Sequence, residues 1–575
     1  MDSNTHLTIL VLILLGVYFA LMRLVLWEFL QPFARKLLFG LGIVSSAWSL
    51  LNLATRGDQT FWGWFFSDNA ELTFGSMYSS CLMMLIALVA LLNVLRPAAS
   101  RWQRLLWLVP TGFFFFLSLD EFYSYHETVN SWRYLYAGSG ALLVLVILII
   151  SALEHDFRIA LFAVFGLGTI GFGGVALDAF ANQVYLSAAG HEITWFICRR
   201  PWHGIECQSF GVVEELLETL GESLVLAGFL SFVQGHHSPV RWKITRRAVA
   251  TVAAVWLVWM SGSTWIAPSV EAAVVGKPVN VVYLDGALEL DHYELSRDVA
   301  APGDTVDVTL YFRAGQFIHD DYYLSVHLLS QPDADSLAQG DLQLGNWNYP
   351  TSAWIPHLAV KHTVHLKLPA DLPTPASYWI TVRVWGGPDL TPWIKKPPDY
   401  RIVSREIEIT GTNREALTPD TVILYGLPVL GSPPDAAPPT GSSYRFDNGM
   451  EIYGYDLPAT TGIDQPLELR FWWKTHKDIR AYLTQYVHFF EEGGDGFFVF
   501  SQEGFGTAFP FNDWPKGIDA ADNWAITLPA DMPPGTYRVY TGVYHTPTVE
   551  RVPVEDGSGQ PVQDNSIFLG TIEIR

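Results

Sequence analysis

Close to the end of one long apolar run, the chain reads "SLDEFYSYHETV" at residues 118–129. This places Asp120, Glu121, His126 and Glu127 directly after "WLVPTGFFFFL". A second run, "SFGVVEELLETLGESLVLAGFL", carries Glu214, Glu215, Glu218 and Glu222, and a third has Asp178 near its end. Ionisable groups in hydrocarbon are costly, and they persist where they find partners or serve an ion pathway. Carboxylates that face one another repel unless protons or cations lie between them. Oxygen ligands with one imidazole suit Mg, Ca, Mn or Fe, or a zinc with mixed ligands. Asp120, Glu121, His126, Glu127, Asp178, Glu214, Glu215, Glu218 and Glu222 are therefore candidate ligands of a divalent metal ion. The same acids could also form the binding site of a cation- or proton-coupled transporter. A plainer reading leaves some of them hydrated among lipid headgroups, and it suits Glu127, Glu214 and Glu215 best.

Helical geometry sharpens the metal reading. At about 100° per residue, Glu214, Glu215, Glu218 and Glu222 fall within an arc of roughly 100°, which is one face. Asp120 and Glu127 are seven residues apart and share a face if their helix persists that far. Glu222 lies about 20 Å along its run at 1.5 Å per residue, far from bulk water. Asp120, Glu121, His126, Glu218 and Glu222 are expected to converge on one cavity. The Glu-x-x-His spacing of paired-metal carboxylate bundles is absent.

These groups need spans to hold them. The chain has 575 residues, half of them hydrophobic. Up to about residue 268 it is a series of long apolar runs, and beyond that come short alternating segments punctuated by Pro, Gly and Asp. The first part reads as a membrane α-helical bundle and the second as soluble β-structure. Eight spans are expected, at roughly 7–27, 37–55, 72–95, 105–122, 134–153, 159–183, 209–233 and 248–268. The start "MDSNTH" has no Lys or Arg and no small-residue cleavage site follows the first run, so that run reads as a retained helix. One set of loops holds Arg35, Lys36, Arg96, Arg101, Arg104, Arg158, Arg241, Lys243, Arg246 and Arg247, and Arg23 lies on the same side. The alternate set holds Arg56, Arg133, Arg199 and Arg200. The positive-inside rule puts the first set in the cytoplasm. A multi-pass protein of a bacterial-type cell membrane is expected, with the N-terminus and everything after residue 268 outside. The acidic ends of the fourth, sixth and seventh spans then share one level near the outer leaflet.

Of the three cysteines, Cys198 and Cys207 share an outer loop, "CRRPWHGIEC". They are a disulfide candidate in an oxidising compartment, with a metal reading through His203 beside it. The motif "GLGTIGFGG" at 166–174 contains Gly-x-Gly-x-x-Gly, but it lies inside a span with no strand before it. Close helix packing accounts for it better than dinucleotide binding.

The soluble part contains a repeat. "ELDHYEL", "DTVDVTLYF", "YYLSVHLL", "YPTSAW" and "LPADLPTPASYWITVRV" recur in order as "EIYGYDL", "QPLELRFWW", "TQYVHFF", "FPFNDW" and "LPADMPPGTYRVYTGVY". Period-2 alternation on units of about 130 residues predicts two duplicated all-β sandwich domains. The expected division is 1–268 for the membrane domain, 277–410 for the first sandwich, 411–444 for a linker and 445–575 for the second sandwich. His327 and His488 occupy matching strand positions and read as structural. Trp354, Trp379, Trp472, Trp473 and Trp514 could stack on sugars, but large aromatics more commonly fill sandwich cores. The loop "PDADSLAQGD" lacks EF-hand spacing and reads as a solvated turn.

The "VHL"/"VHF" strand, the "YPTSAW" element and the "LPADMPPGTYRV" hairpin resemble the β-sandwich modules at the C-termini of some bacterial multi-pass, glycosyltransferase-like membrane proteins. The likeness covers roughly residues 280–575 and implies a binding or spacing module. In the membrane part, Asp120, Glu121, His126 and Glu127 followed by Glu214, Glu215, Glu218 and Gly221 are similar to an uncharacterised class of bacterial multi-pass proteins. That class implies no activity. The His-x-x-x-His pair of membrane hydrolases related to alkaline ceramidases is missing.

Three function classes follow. The first is a metal-dependent enzyme acting on a lipid or lipid-linked substrate at the outer leaflet, with metal-activated water and a carboxylate base. The second is a cation- or proton-coupled transporter using the same acids. The third is a non-enzymatic envelope or surface interaction protein. The expected partners are the lipid bilayer and a lipid-linked substrate or cell-envelope glycan. With a net charge of −22, no nucleic acid is expected. The topology predicts that a C-terminal tag is digested when intact cells or spheroplasts meet external protease. A protected tag would overturn the eight-span, outer-site arrangement.

Overall fold

In the computed structural model, described residues are 3–56, 61–67, 73–123, 125, 132–177, 187–188, 191–192, 210–236, 238–331, 334–345, 349–386, 405–412, 414–434 and 437–575. The chain divides as its hydropathy does, into a helical region followed by an all-β region. The helices are α1 (Ser3–Leu21), α2 (Pro32–Thr55), the short α3 (Phe61–Phe65), α4 (Phe74–Val94), α5 (Arg101–Tyr123), α6 (Trp132–Glu154), α7 (Phe157–Gly171), α8 (Gly211–His236), α9 (Pro239–Ser261) and α10 (Ala267–Val275). Among the described residues, eight helical segments are long and apolar enough to cross a membrane. The last of them runs over Arg241–Val275, because a π-helical turn at Gly262–Ile266 joins α9 to α10. The sequence expectation stops at 268, at a proline. Pro268 instead occupies the first turn of α10, where a missing N–H costs nothing.

The centre of the bundle is α8. Most of its length is buried although it carries four glutamates, and it packs against α2, α4 and α7. Glycines make this closeness attainable. A Cβ on Gly166 would lie 2.6 Å from the Gly221 carbonyl oxygen, and one on Gly228 would lie 2.5 Å from Phe162 Cβ. The Gly-rich stretch that mimics a nucleotide motif is thus a helix-packing surface. At the end where α8 finishes, Arg96 Nη2 donates to both carboxylate oxygens of Glu154 at 2.5 Å, and Trp107 Nε1 donates to Glu154 at 3.3 Å.

The β region holds two pairs of sheets, each pair closed around its own core. The first copy comprises β1 (Lys277–Tyr283), β2 (Leu288–Leu295), β3 (Thr305–Ala314), β4 (Tyr322–Leu329), β5 (Ala338–Gln343), β6 (Ala359–Lys367), β7 (Ala376–Gly386), β8 (Arg405–Glu406), β9 (Ile409–Thr412), β10 (Ala416–Thr418) and β11 (Thr421–Val429). Its sheets run β9-β1-β2-β3-β6 and β10-β11-β7-β4-β5, with β8 beside β7. The second copy comprises β12 (Thr440–Phe446), β13 (Met450–Asp456), β14 (Thr460–Thr461), β15 (Leu467–Thr475), β16 (Leu483–Glu491), β17 (Phe497–Gln502), β18 (Asp519–Ile526), β19 (Gly535–His545), β20 (Val554–Asp556) and β21 (Ile567–Ile574). Its sheets run β20-β12-β13-β15-β18 and β14-β21-β19-β16-β17. The order β1-β2-β3-β6 is repeated as β12-β13-β15-β18, and β11-β7-β4-β5 as β21-β19-β16-β17.

The repeat extends to single contacts. Trp354 Nε1 donates to Tyr349 O at 2.8 Å, and Trp514 Nε1 donates to Phe509 O at 3.0 Å. Tyr378 and Tyr537 each donate a hydroxyl to a proline carbonyl, Pro373 and Pro533, at 2.8 Å. Val306, Val308, Leu310 and Phe312 of β3 are fully buried, as the alternation predicts. Trp354, Trp473 and Trp514 sit in the cores, Trp472 is buried, and Trp379 is half-buried. One boundary differs from expectation. Strand β11 falls in the expected linker, yet it pairs antiparallel with β7 along its whole length. Its internal Gly426 and Pro428 give it the look of a connection, but its alternate residues Val422, Leu424, Leu427 and Val429 complete the first core.

The first copy sits directly on the helical region. Trp64 of α3 joins its core and meets the Tyr349 ring at 4.7 Å between centroids, with Phe61, Phe65 and Trp265 packed alongside. Ser269 of α10 accepts from the Ala359 amide at 2.9 Å, and Lys361 pairs with Glu271 at 2.6 Å.

Two predictions follow from this packing. Gly221→Ala should cost about 1–3 kcal/mol through overpacking, whereas Gly168→Ala, whose Cβ meets nothing within 4 Å, should hold or gain stability. Thermal midpoints of the full chain in detergent compare the two. His362 is buried in the first sandwich, and neither of its ring nitrogens has a partner among the described residues. Burial pushes its imidazole down to about 4, from 6.5. The folded state then binds fewer protons than the unfolded chain between those values, so stability present above pH 6.5 is lost as pH falls toward 4. His362→Leu should flatten that fall by about 3 kcal/mol, read from denaturation at a series of pH values.

Candidate functional site

Helix α8 has few water-exposed positions, so its acids must be accommodated inside the protein. Glu222 is the extreme case, with no exposed surface at all. Ser79 of α4 donates its hydroxyl to Glu222 Oε1 at 2.6 Å. The other oxygen, Oε2, is buried and has no hydrogen-bond partner among the described residues. Tyr78 and Cys81 of α4 and Glu121 of α5 all lie within electrostatic range of this carboxylate. The Tyr78 hydroxyl donates to Leu41 O at 3.2 Å and lies 3.4 Å from Ser45 Oγ, which ties the site to α2.

One helical turn earlier, Glu218 faces a different neighbour. Its Oε1 lies over Gly174, where a Cβ would come within 1.7 Å of it. A side chain at 174 would displace this carboxylate, so the Gly173–Gly174 pair, in the π-helical turn Phe172–Leu177 that follows α7, forms its cradle. Glu214 and Glu215 are half-buried at the start of α8.

Asp120 is 3 % exposed near the end of α5. It accepts a short hydrogen bond from the Tyr136 hydroxyl of α6. Behind it α4 and α5 are stitched by a reciprocal pair. Ser80 Oγ donates to Ser118 O at 2.6 Å, and Ser118 Oγ donates to Ser80 O at 2.7 Å. Trp256 Nε1 of α9 donates to Ser80 Oγ at 3.1 Å. Hydroxyls and one indole thus run through the bundle beside Glu222 and Asp120, satisfying one another away from solvent.

Of the five residues expected to converge, the structure describes Asp120, Glu121, Glu218 and Glu222. Glu121 and Glu222 come close enough to interact, and Asp120 lies on the same helix as Glu121. Glu218 is turned toward Gly174, on the α7 side of α8. Among the described residues, no group of three or more His, Cys, Asp or Glu side chains is gathered as metal ligands would be. His126, Glu127, Asp178, Cys198 and Cys207 lie outside the described residues. His327 is half-buried, with Nε2 3.1 Å from Asp341 Oδ1. His488, also half-buried, packs against the Tyr486 and Phe497 rings.

The sequence reading did not single out Ser79, Ser80, Ser118, Tyr78 or Tyr136. The signal was present in "GSMYSSC" at 75–81, where hydroxyls at i, i+3 and i+4 mark one polar helix face inside an apolar run.

A family model described as a domain of unknown function (DUF8692) matches residues 53–233. That stretch holds Ser79, Asp120, Glu121 and the α8 glutamates, and it excludes the β region. No curated protein matches the chain. Among solved structures, a DUF4785 family protein from Legionella pneumophila subsp. pneumophila is 11% identical, over 49% of this chain and 57% of that chain, with a TM-score of 0.14. The chain therefore spans little more than half of that structure, and the similarity is too slight to bear on fold or function.

Proposed function

We propose that this chain is a multi-pass membrane protein in which Glu222 binds and releases a proton or small cation during coupled transport. One observation carries the reading: Glu222 is sealed from solvent, with one oxygen held by Ser79 and the other without a partner among the described residues. Among the described residues, no Lys, Arg or His stands within salt-bridge distance of it. A bare buried charge costs several kcal/mol even after relaxation, so a proton or cation must neutralise it. An intramembrane carboxylate that alternates between neutral and charged states is the usual coupling element of pumps and transporters. Asp120 and Tyr136, one helix away, supply a second acid–hydroxyl pair through which protons could pass. On the expected topology these groups lie in the outer half of the bundle, on the side of the first sandwich.

A metal-dependent enzyme acting on a lipid-linked substrate is the second reading. That Glu121 lies within electrostatic range of Glu222 favours it, since neighbouring carboxylates suit a divalent cation.

Infrared spectroscopy and elemental analysis of the purified full chain separate the two. Transport coupling predicts a protonated-carboxyl carbonyl band at neutral pH that vanishes in Glu222→Gln and shifts in Ser79→Ala. A divalent metal bound in stoichiometric amount, and lost in Glu222→Gln with the fold intact, would carry the enzyme reading instead. An infrared spectrum unchanged by Glu222→Gln, with no metal bound, would overturn both.

A further inference from the structure

The second sandwich departs from the first on one exposed face. In the first copy, His327 of β4 stands between Gln339 of β5 and Thr381 of β7. In the second, the equivalent His488 of β16 stands between Val499 of β17 and Tyr540 of β19. Ser325 of the first copy likewise becomes Tyr486 in the second. Val499, Tyr540 and Tyr486 thus take the places of polar residues in the first copy.

Tyr540 joins Phe490, Phe497 and Phe568 in a continuous row of rings, where the counterparts of Phe490 and Phe568 in the first copy are the apolar Leu329 and Ile423. Phe497 and Phe490 stack at 4.7 Å, Phe490 meets Tyr540 at 5.7 Å, and Tyr540 meets Phe568 at 5.1 Å. The row crosses β17, β16, β19 and β21, so it is about 15 Å long at the usual strand spacing. Phe490, Phe497, Val499 and Phe568 remain 42–50% exposed. Contiguous apolar surface of this kind marks an interaction site. Successive ring planes turn by 28°, 86° and 47° along the row, so its surface is uneven rather than a single plane.

Two arginines lie over rings of this face, on a chain of net charge −22. Arg538 lies over Tyr540 and Phe568 at 5.4 and 5.6 Å, and Arg551 over Tyr486 at 5.1 Å. Among the described residues, neither arginine has a carboxylate within salt-bridge distance. Between them, burial and Arg551 push His488 down to about 4, leaving a neutral imidazole that can share hydrogen bonds.

We propose that this face of the second sandwich binds an acidic glycan, with pyranose rings lying on Phe490, Phe497, Tyr540 and Phe568 and uronate carboxylates meeting Arg538 and Arg551. The electron-rich face of an aromatic ring attracts the polarised C–H face of a sugar, and a row of rings across four strands suits a linear chain. Guanidinium groups recognise carboxylates through paired, planar hydrogen bonds. The inference stands apart from the role of Glu222.

The test uses the full chain in nanodiscs of neutral lipid, with immobilised alginate and hyaluronate as acidic probes and dextran as the neutral one. Binding to at least one acidic polymer is expected, weakened at least tenfold by Phe490→Ala with Phe497→Ala and retained by Phe490→Tyr with Phe497→Tyr. Arg538→Gln should lessen the preference over dextran, while Tyr323→Ala on the first copy should change nothing. No binding to either acidic polymer, equal binding to dextran, or indifference to the alanine pair would overturn the proposal. So would loss of binding to phosphatidylglycerol vesicles, with polymer binding unchanged, which would assign the face to a membrane surface.

Discussion

A carboxylate with no contact with water, held by a single serine hydroxyl, is the constraint around which the helical region is organised. Glu222 is tolerable only because its surroundings are dense and specific. Gly221 brings α8 against α7, where Gly166 yields room, and Ser79 is delivered by α4 from the other side. The serine pair between α4 and α5 and the indole of Trp256 close the polar groups nearby. Few polar atoms in this region are left to solvent, so the electrostatic state of Glu222 is set by the protein and by whatever it binds.

The β region is not tethered loosely to this bundle. The ring of Trp64 belongs to the core of the first sandwich as much as to α3. From Tyr349 a line of aromatic rings leads through Trp64, Phe65 and Phe74 to Tyr78, which lies beside Glu222. The most buried acid and the nearest soluble domain are thus packed into one continuous structure. The second copy stands further along and meets the first through contacts such as the Ser377 amide to the Ala508 carbonyl at 2.8 Å. Its exposed row of rings is free of those contacts.

Much of this was readable in the chain itself. Apolar length announced the helices, and period-2 alternation with five recurring segments announced the two β units, because burial of one sheet face imposes that period. The placement of acids on one stripe of α8 was readable for the same reason. The partners of those acids were not. Ser79 and Ser80 look like small residues in an apolar run until α8 and α5 are set beside them. Glu218 and Glu222 share a helical stripe yet address different neighbours, because Gly174 leaves a recess that only Glu218 fills. Strand β11 was mistaken for linker since its Gly and Pro are local signals, whereas its pairing with β7 is a long-range one.

The joint between the two regions has a mechanical consequence. The final helical segment continues to Val275, and β1 begins at Lys277, leaving Gly276 as the only residue between them. With Ser269 and Glu271 of the same helix clamped to β6, there is no slack at the hinge. A rod of 35 residues, about 50 Å long at the α-helical rise, therefore ends rigidly in a β domain. Any tilt of that rod becomes a swing of the domain it carries, and any load on the domain is returned as torque on the rod.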